Sequence, residues 1–195
     1  MMLFHKLITI AVVSVALCAC SDSEKTQTQT PVQEKLPIPE FAHSDDPRQL
    51  VDNYLNDLQN EQVFPSALVL ELEGSTSLKN AKALIARHHT IAFIEWYFSE
   101  SYLRRVKDLV ARKVKRLDYQ LKVLDVSEAD ASDVLFVIEA GPLAHRLALQ
   151  DGDFQQVWQP IDDESFSVIL TNQDTSAPLR VVREHDRWKL ELTHL

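Results

Sequence analysis

Glycine is scarce in this chain: only Gly74, Gly141 and Gly152 occur in 195 residues. A dinucleotide fingerprint, a phosphate-binding loop and a nucleophile elbow each need closely spaced glycines where the backbone turns sharply or approaches a ligand, so all three are excluded. Cysteine is equally sparse and confined to Cys18 and Cys20. Beyond residue 20 there is no thiol for a disulfide, a metal or a nucleophile. No His-Glu-x-x-His and no EF-hand loop pattern occurs. Long apolar runs are missing too. The longest, residues 7–20, is interrupted by Thr9 and Ser14 and is about 14 residues long, against roughly 20 for a spanning helix.

What is present is an ordinary globular composition, 45% hydrophobic and 25% charged, in a chain long enough for one domain with a proper core. The formal net charge is −9 at pH 7. An acidic balance speaks against nucleic-acid binding, and none is expected. The charge is unevenly spread. Residues 103–117 hold Arg104, Arg105, Lys107, Arg112, Lys113, Lys115 and Arg116 against Asp108 alone, a local net of +6 in an otherwise acidic chain.

The N-terminus has the form of a secretory leader: Lys6, then the short apolar run, then small residues. Leu17-Cys18-Ala19-Cys20 resembles the lipobox of bacterial lipoproteins, with a branched aliphatic three positions before a cysteine and a small residue just before it. Both cysteines are candidates. Cys18 follows the bulky Leu17, whereas Cys20 follows Ala19, so side-chain size favours Cys20. The resemblance implies that residues 1–19 are removed and that Cys20 becomes the acylated first residue. Several acyl chains on one residue give stable anchoring where one is marginal. Ser21 after the cysteine is what an outer-membrane lipoprotein looks like, on the periplasmic face. Residues 22–44 are rich in Thr, Gln, Glu, Pro and Ser and read as a tether, with a root-mean-square span of roughly 25–30 Å. Residues 20–44 are thus expected to hold a single domain, 45–195, off the membrane.

Within that domain, a helix is predicted from Asp45 or Asp46, with Pro47 in its first turn and Leu50, Val51, Tyr54, Leu55 and Leu58 on one face. Phe64-Pro65 ends the pattern. Leu68, Leu70 and Leu72 fit a strand or a helix closed by Gly74. Residues 76–117 read as one long helix or two, with His88-His89-Thr90 as the joint. Beyond Leu117 the period changes. Short strands are predicted at residues 117–123, 134–138, 143–149, 154–158, 166–170, 179–182 and 188–192, with turns at Asp151-Gly152 and at Glu184-His185-Asp186. Trp188, Leu190 and Leu192 should face inward, and Arg187, Lys189 and Glu191 outward. Helices followed by strands define an α+β fold with N-terminal helices packed on one face of a curved antiparallel sheet.

The closing residues Val181-Val182-Arg183-Glu184-His185-Asp186-Arg187-Trp188-Lys189-Leu190 look like the final hairpin of NTF2-like domains. That resemblance implies a sheet curved around helices, a cone that holds an enzyme pocket, a ligand pocket or neither.

No catalytic set, metal site or cofactor is assigned. His88 and His89 are adjacent, about 100° apart on a helix, and cannot share a metal. The Glu184–Asp186, Asp151/Asp153 and Asp162-Asp163-Glu164 clusters read as solvated turns. Asp118, beside Tyr119, has no partner visible in sequence. His145, between Ala144 and Arg146 on a predicted strand, is with Asp118 one of the few residues placed to line a pocket inside a cone, and it too has no partner visible in sequence. Arg104, Arg105, Arg112, Lys115 and Arg116 cover the polar side of a helix. They read either as a solvated face that complements the helix dipole or as a docking surface for anionic lipid, lipopolysaccharide or an acidic envelope protein. Three functions follow as expectations: a non-catalytic accessory lipoprotein, a ligand binder or enzyme with an internal pocket, and a purely structural tethered domain.

Overall fold

A computed structural model describes residues 36–37, 39–73, 78–148, 154–171 and 176–192. The helices come first: α1 (Pro47–Leu58), α2 (Ser66–Glu73), α3 (Leu78–Arg87), α4 (Thr90–Tyr97), α5 (Glu100–Val123), α6 (Glu128–Glu139) and α7 (Pro142–Ala148). Among the described residues four strands follow, β1 (Gln155–Asp162), β2 (Ser165–Thr171), β3 (Ser176–Glu184) and β4 (Arg187–Leu192). They pair in chain order as an open antiparallel meander. The fold is α+β.

The helix starts follow from capping chemistry. The Asp46 carboxylate accepts from Arg48 N–H at 2.7 Å, with Pro47 just inside the helix. Ser99 and Ser127 cap α5 and α6 by accepting from Tyr102 N–H at 3.1 Å and Asp130 N–H at 3.0 Å. The joint at His88-His89 is present. A second break at Phe98, whose backbone is extended, divides the stretch further, so residues 78–123 form three helices rather than one or two.

Three predicted strands are helices. Leu117 and Leu121 belong to the last turns of α5: at i and i+4 they share its inner face, while Tyr119 and Val123 point to solvent, 76% and 67% exposed. The run at 134–138 lies in α6, where Ala131, Val134 and Val137 are buried at helical spacing. Gly141, at φ +83°, ends that helix, and a Cβ there would run into the Leu192 side chain. Pro142 then starts α7, so His145 sits on a helix and not on a strand. Residues 68–72, open between strand and helix, are α2. The Asp151-Gly152 turn lies outside the described residues.

The helices cover one face of the sheet. Val168, Leu170, Leu179, Val181 and Leu190 meet an aromatic cluster of Tyr54, Phe93, Tyr97, Phe98 and Tyr102, all essentially inaccessible. The β3–β4 hairpin closes on His185 and Asp186, with φ of 51° and 62°, a two-residue turn of the kind that matches strand twist, built here without glycine. On β4, Leu190 faces the helices as expected and Arg187 is exposed, but Glu191 is buried and Lys189 half-buried. The start of α5 and the end of α4 cover them: Ser99 and Ser101 hydroxyls donate to Glu191, and Lys189 Nζ donates to the Trp96 carbonyl.

The packed domain begins earlier than residue 45. Leu36 N–H donates to the Arg87 carbonyl at 3.4 Å, and His89 Nε2 bonds the Leu36 carbonyl at 2.6 Å. The Phe41 ring sits about 6 Å from those of Phe93, Trp96 and Tyr97. Part of the stretch read as tether is therefore core. Its composition is polar on average, but one aromatic residue suffices to seat it.

Candidate functional site

The cationic residues fall on α5, 24 residues and about 36 Å long. Its inner side, Tyr102, Leu103, Val106, Val110, Val114 and Leu121, is buried. Three of the seven cations at residues 104–116 are engaged within the fold. Lys107 meets Glu95 at 3.2 Å and Lys113 meets Glu139 at 2.6 Å. Arg105 reaches the buried Glu191 at 3.6 Å and lies over the Tyr102 ring. Among the described residues no ion pair reaches Arg104, Arg112, Lys115 or Arg116, and all four are exposed. At about 100° per residue they occupy roughly a third of the helix circumference. Asp108 is the one acid among them, since Asp118, on the next turns, is held by Lys122 at 2.7 Å. The C-terminal end of the same face carries exposed Tyr119 and Val123, followed by Leu124, 58% exposed. Sequence reading found the cations but counted Arg105 with the free ones, and it missed Tyr119 and Val123 because their alternation resembles a strand.

Alongside this face runs a groove of about 330 Å³ between α4, α5 and α6. Its apolar lining is Ile91, Val110, Ala111 and Phe136. At its rim Glu95 pairs with Lys107, and Lys82 is shared between Asp133 and Asp130, which leaves one acid in excess.

His145 lies elsewhere. It is 3% exposed, its Nδ1 and the Tyr54 hydroxyl are hydrogen-bonded at 2.9 Å, and its ring meets Tyr54 edge-on. Burial lowers its pKa to about 4, so the imidazole is neutral, and burial raises that of Tyr54. This is a satisfied pair inside the core. His88 and His89 bond different carbonyls, those of Gln62 and Leu36. Among the described residues no group of three or more His, Cys, Asp or Glu is placed to hold a metal ion, and no helix is long and apolar enough to cross a membrane. Cys20 lies outside the described residues.

No protein-family model matches this chain, and neither a curated protein nor a solved structure shows detectable similarity to it.

Proposed function

We propose that this is a lipid-anchored protein of the bacterial envelope whose domain is a non-catalytic docking module. Acyl chains on Cys20 hold it at the periplasmic face of the outer membrane. The free face of α5 rests on the phosphates of anionic lipid in that leaflet. The observation that carries the reading is the row Arg104, Arg112, Lys115 and Arg116, unpaired among the described residues and flanked by exposed Tyr119, Val123 and Leu124. A merely solvated face has no use for that apolar end. An aromatic ring and branched aliphatics beside cations suit the headgroup region of a bilayer.

The magnitudes are consistent with a docked but reversible domain. Each cation near an anionic surface contributes about 1 kcal/mol, so four of them less Asp108 give about 3 kcal/mol, an affinity on the order of millimolar or weaker. Leu36 is the first described residue and is already packed, and the 15 residues 21–35 can span at most ~54 Å. A short leash supplies an effective concentration in the millimolar range. The anchor thus keeps the face at the membrane at physiological salt, where charges are screened, while low salt and abundant anionic lipid let the face bind unaided.

Co-sedimentation with vesicles tests this, using the mature chain with Cys20→Ser so that no acyl chain contributes. Binding to phosphatidylglycerol vesicles at low salt, absent with phosphatidylcholine and lost in Arg112→Glu/Lys115→Glu/Arg116→Glu, is the expected result. Equal binding of the variant, or no binding by the parent, contradicts it. Recovery of an acidic envelope protein in place of lipid would assign the face to a protein partner.

A further inference from the structure

We infer that β1 is a dimerisation edge: two copies of this chain pair β1 against β1, antiparallel, about a two-fold axis at Val157, and join their sheets into one. The inference goes beyond the membrane-docking reading and does not rest on it. The two edges of the sheet are unlike. At β4, Phe98 forms a parallel bridge with Leu190, and Ser99 N–H donates to the Leu190 carbonyl at 3.0 Å, so that edge is covered. β1 pairs with β2 on one side, and among the described residues nothing pairs with its other side. The helices nevertheless hold it in place. Gln156 Nε2 donates to the Asp52 carboxylate at 2.7 Å, and Arg48 lies over the Trp158 ring at 4.8 Å. An ordered strand with an open row of backbone groups is a template for another strand.

The ladder fixes which groups are open. In an antiparallel sheet each residue bonds the strand on one side, and the side alternates along the chain. Leu190 turns its carbonyl to Ser99, hence away from Val181. Val181 then bonds Phe166, and Phe166 turns away from Pro160, which has no N–H to give. Gln156 and Trp158 alternate in step with Pro160, so both direct N–H and C=O outward.

A second copy matches this edge in charge and in symmetry. Residues 155–161 carry no charge in a chain of net charge −9, so two copies meet there without opposing like charges. With the axis at Val157, Gln156 of each copy faces Trp158 of the other and exchanges both bonds with it. An axis at Trp158 would set Gln156 against Pro160 and leave the Gln156 carbonyl without a donor. The axis at Val157 also places that side chain, 44% exposed, against its own copy on the face away from the helices. Pro160 and the bulge between Pro160 and Asp162 blunt the far end of the strand, so pairing stops there. Because the β4 edge is covered, the pair closes and does not propagate into a fibre.

The test uses residues 20–195 with Cys20→Ser. Pairing confined to residues 155–159, a strip about 17 Å long, makes a weak dimer, so sedimentation equilibrium is run up to about 1 mM. It should show monomer and dimer with no larger species. Val157→Cys adds the only thiol in that chain. Across the axis its Cα lies about 4.5 Å from its mate, within disulfide reach, so mild oxidation should yield a covalent dimer. Gln159→Cys, on the same face but about 14 Å from its mate, should yield little. Val157→Lys, at an exposed edge position, sets like charges against each other and should leave a monomer with the parent's circular dichroism. A monomer throughout the concentration range, equal cross-linking of the two cysteine variants, or a dimer that persists in Val157→Lys overturns the inference.

Discussion

The carboxylate of Glu184, at the end of β3, accepts from the backbone N–H of Glu100 at 2.7 Å, and from that of Ser101 at 3.3 Å. Two of the first N–H groups of α5, which have no partner within their own helix, are thus satisfied by a residue 84 positions away in the chain. A negative charge also lies where the helix dipole favours one. One strand along, Lys189 does the converse and donates to the Trp96 carbonyl near the end of α4. The closing hairpin therefore fixes the break between α4 and α5, and with it the direction in which α5 leaves the sheet.

If that capping sets the start of α5, Glu184→Ala should lower the unfolding free energy by about 1 kcal/mol, within the 0.5–2 kcal/mol that a lost helix cap costs. Chemical denaturation with an unchanged slope against denaturant would register it. Glu184→Gln, which keeps the acceptor oxygen and loses the charge, should recover part of the loss.

Glu191 is the second fixed point of the same junction. It is buried and receives Ser99 at 2.7 Å, Ser101 at 3.0 Å and Arg105 at 3.6 Å. Ser99→Ala and Glu191→Ala should each destabilise by about 1–3 kcal/mol, and the double variant by clearly less than their sum, because both remove the same contact. A double-mutant cycle reads the difference. Glu191→Ala also releases Arg105, so whatever folded protein remains should bind anionic vesicles more tightly than the parent.

The Tyr54–His145 pair makes stability depend on pH. The folded pKa of His145 is about 4, against about 6.5 for a free histidine, and the cause is burial. The unfolded chain therefore binds the proton first. The stabilisation is complete above pH 6.5, falls as pH drops toward 4 and is flat below, a loss on the order of 3 kcal/mol. Between pH 6.5 and 5 most carboxylates remain ionised, so unfolding curves in that window report chiefly on histidines. His145→Gln should flatten the slope there, and a slope identical to the parent's would show that His145 does not set it.

How much of this was legible in the sequence depends on where each signal lies. Pro47 after Asp46, the Trp188–Leu192 strand and the helix-first order were plain, because a cap, a period-2 pattern and element order are local features. The error at Leu117–Val123 arose because leucines four apart satisfy both periods when the residue between them is Tyr119. At 134–138 the apolar run is short, and length could not separate a buried strand from a helix. The deciding signal was Ser127 seven residues upstream, with acidic Glu128 and Asp130 in the first turn. His145 could be recognised as a residue of interest but not as a core residue, since Tyr54 is 91 positions away. The neutralising partners of Arg105, Lys107 and Lys113 are likewise non-local, so the seven cations could not be sorted into engaged and free without the fold.

The central claim is that one face of α5 touches the membrane, and a polarity-sensitive fluorophore tests it most directly. With Cys20→Ser, residues 20–195 hold no cysteine, so Tyr119→Cys in that chain can be labelled alone. Leu70→Cys, on α2 and 69% exposed, serves as the control. On adding phosphatidylglycerol vesicles, the label at 119 should shift to the blue and the label at 70 should not, and added salt should reverse the shift. An unchanged spectrum at 119, or equal shifts at both positions, would contradict the account.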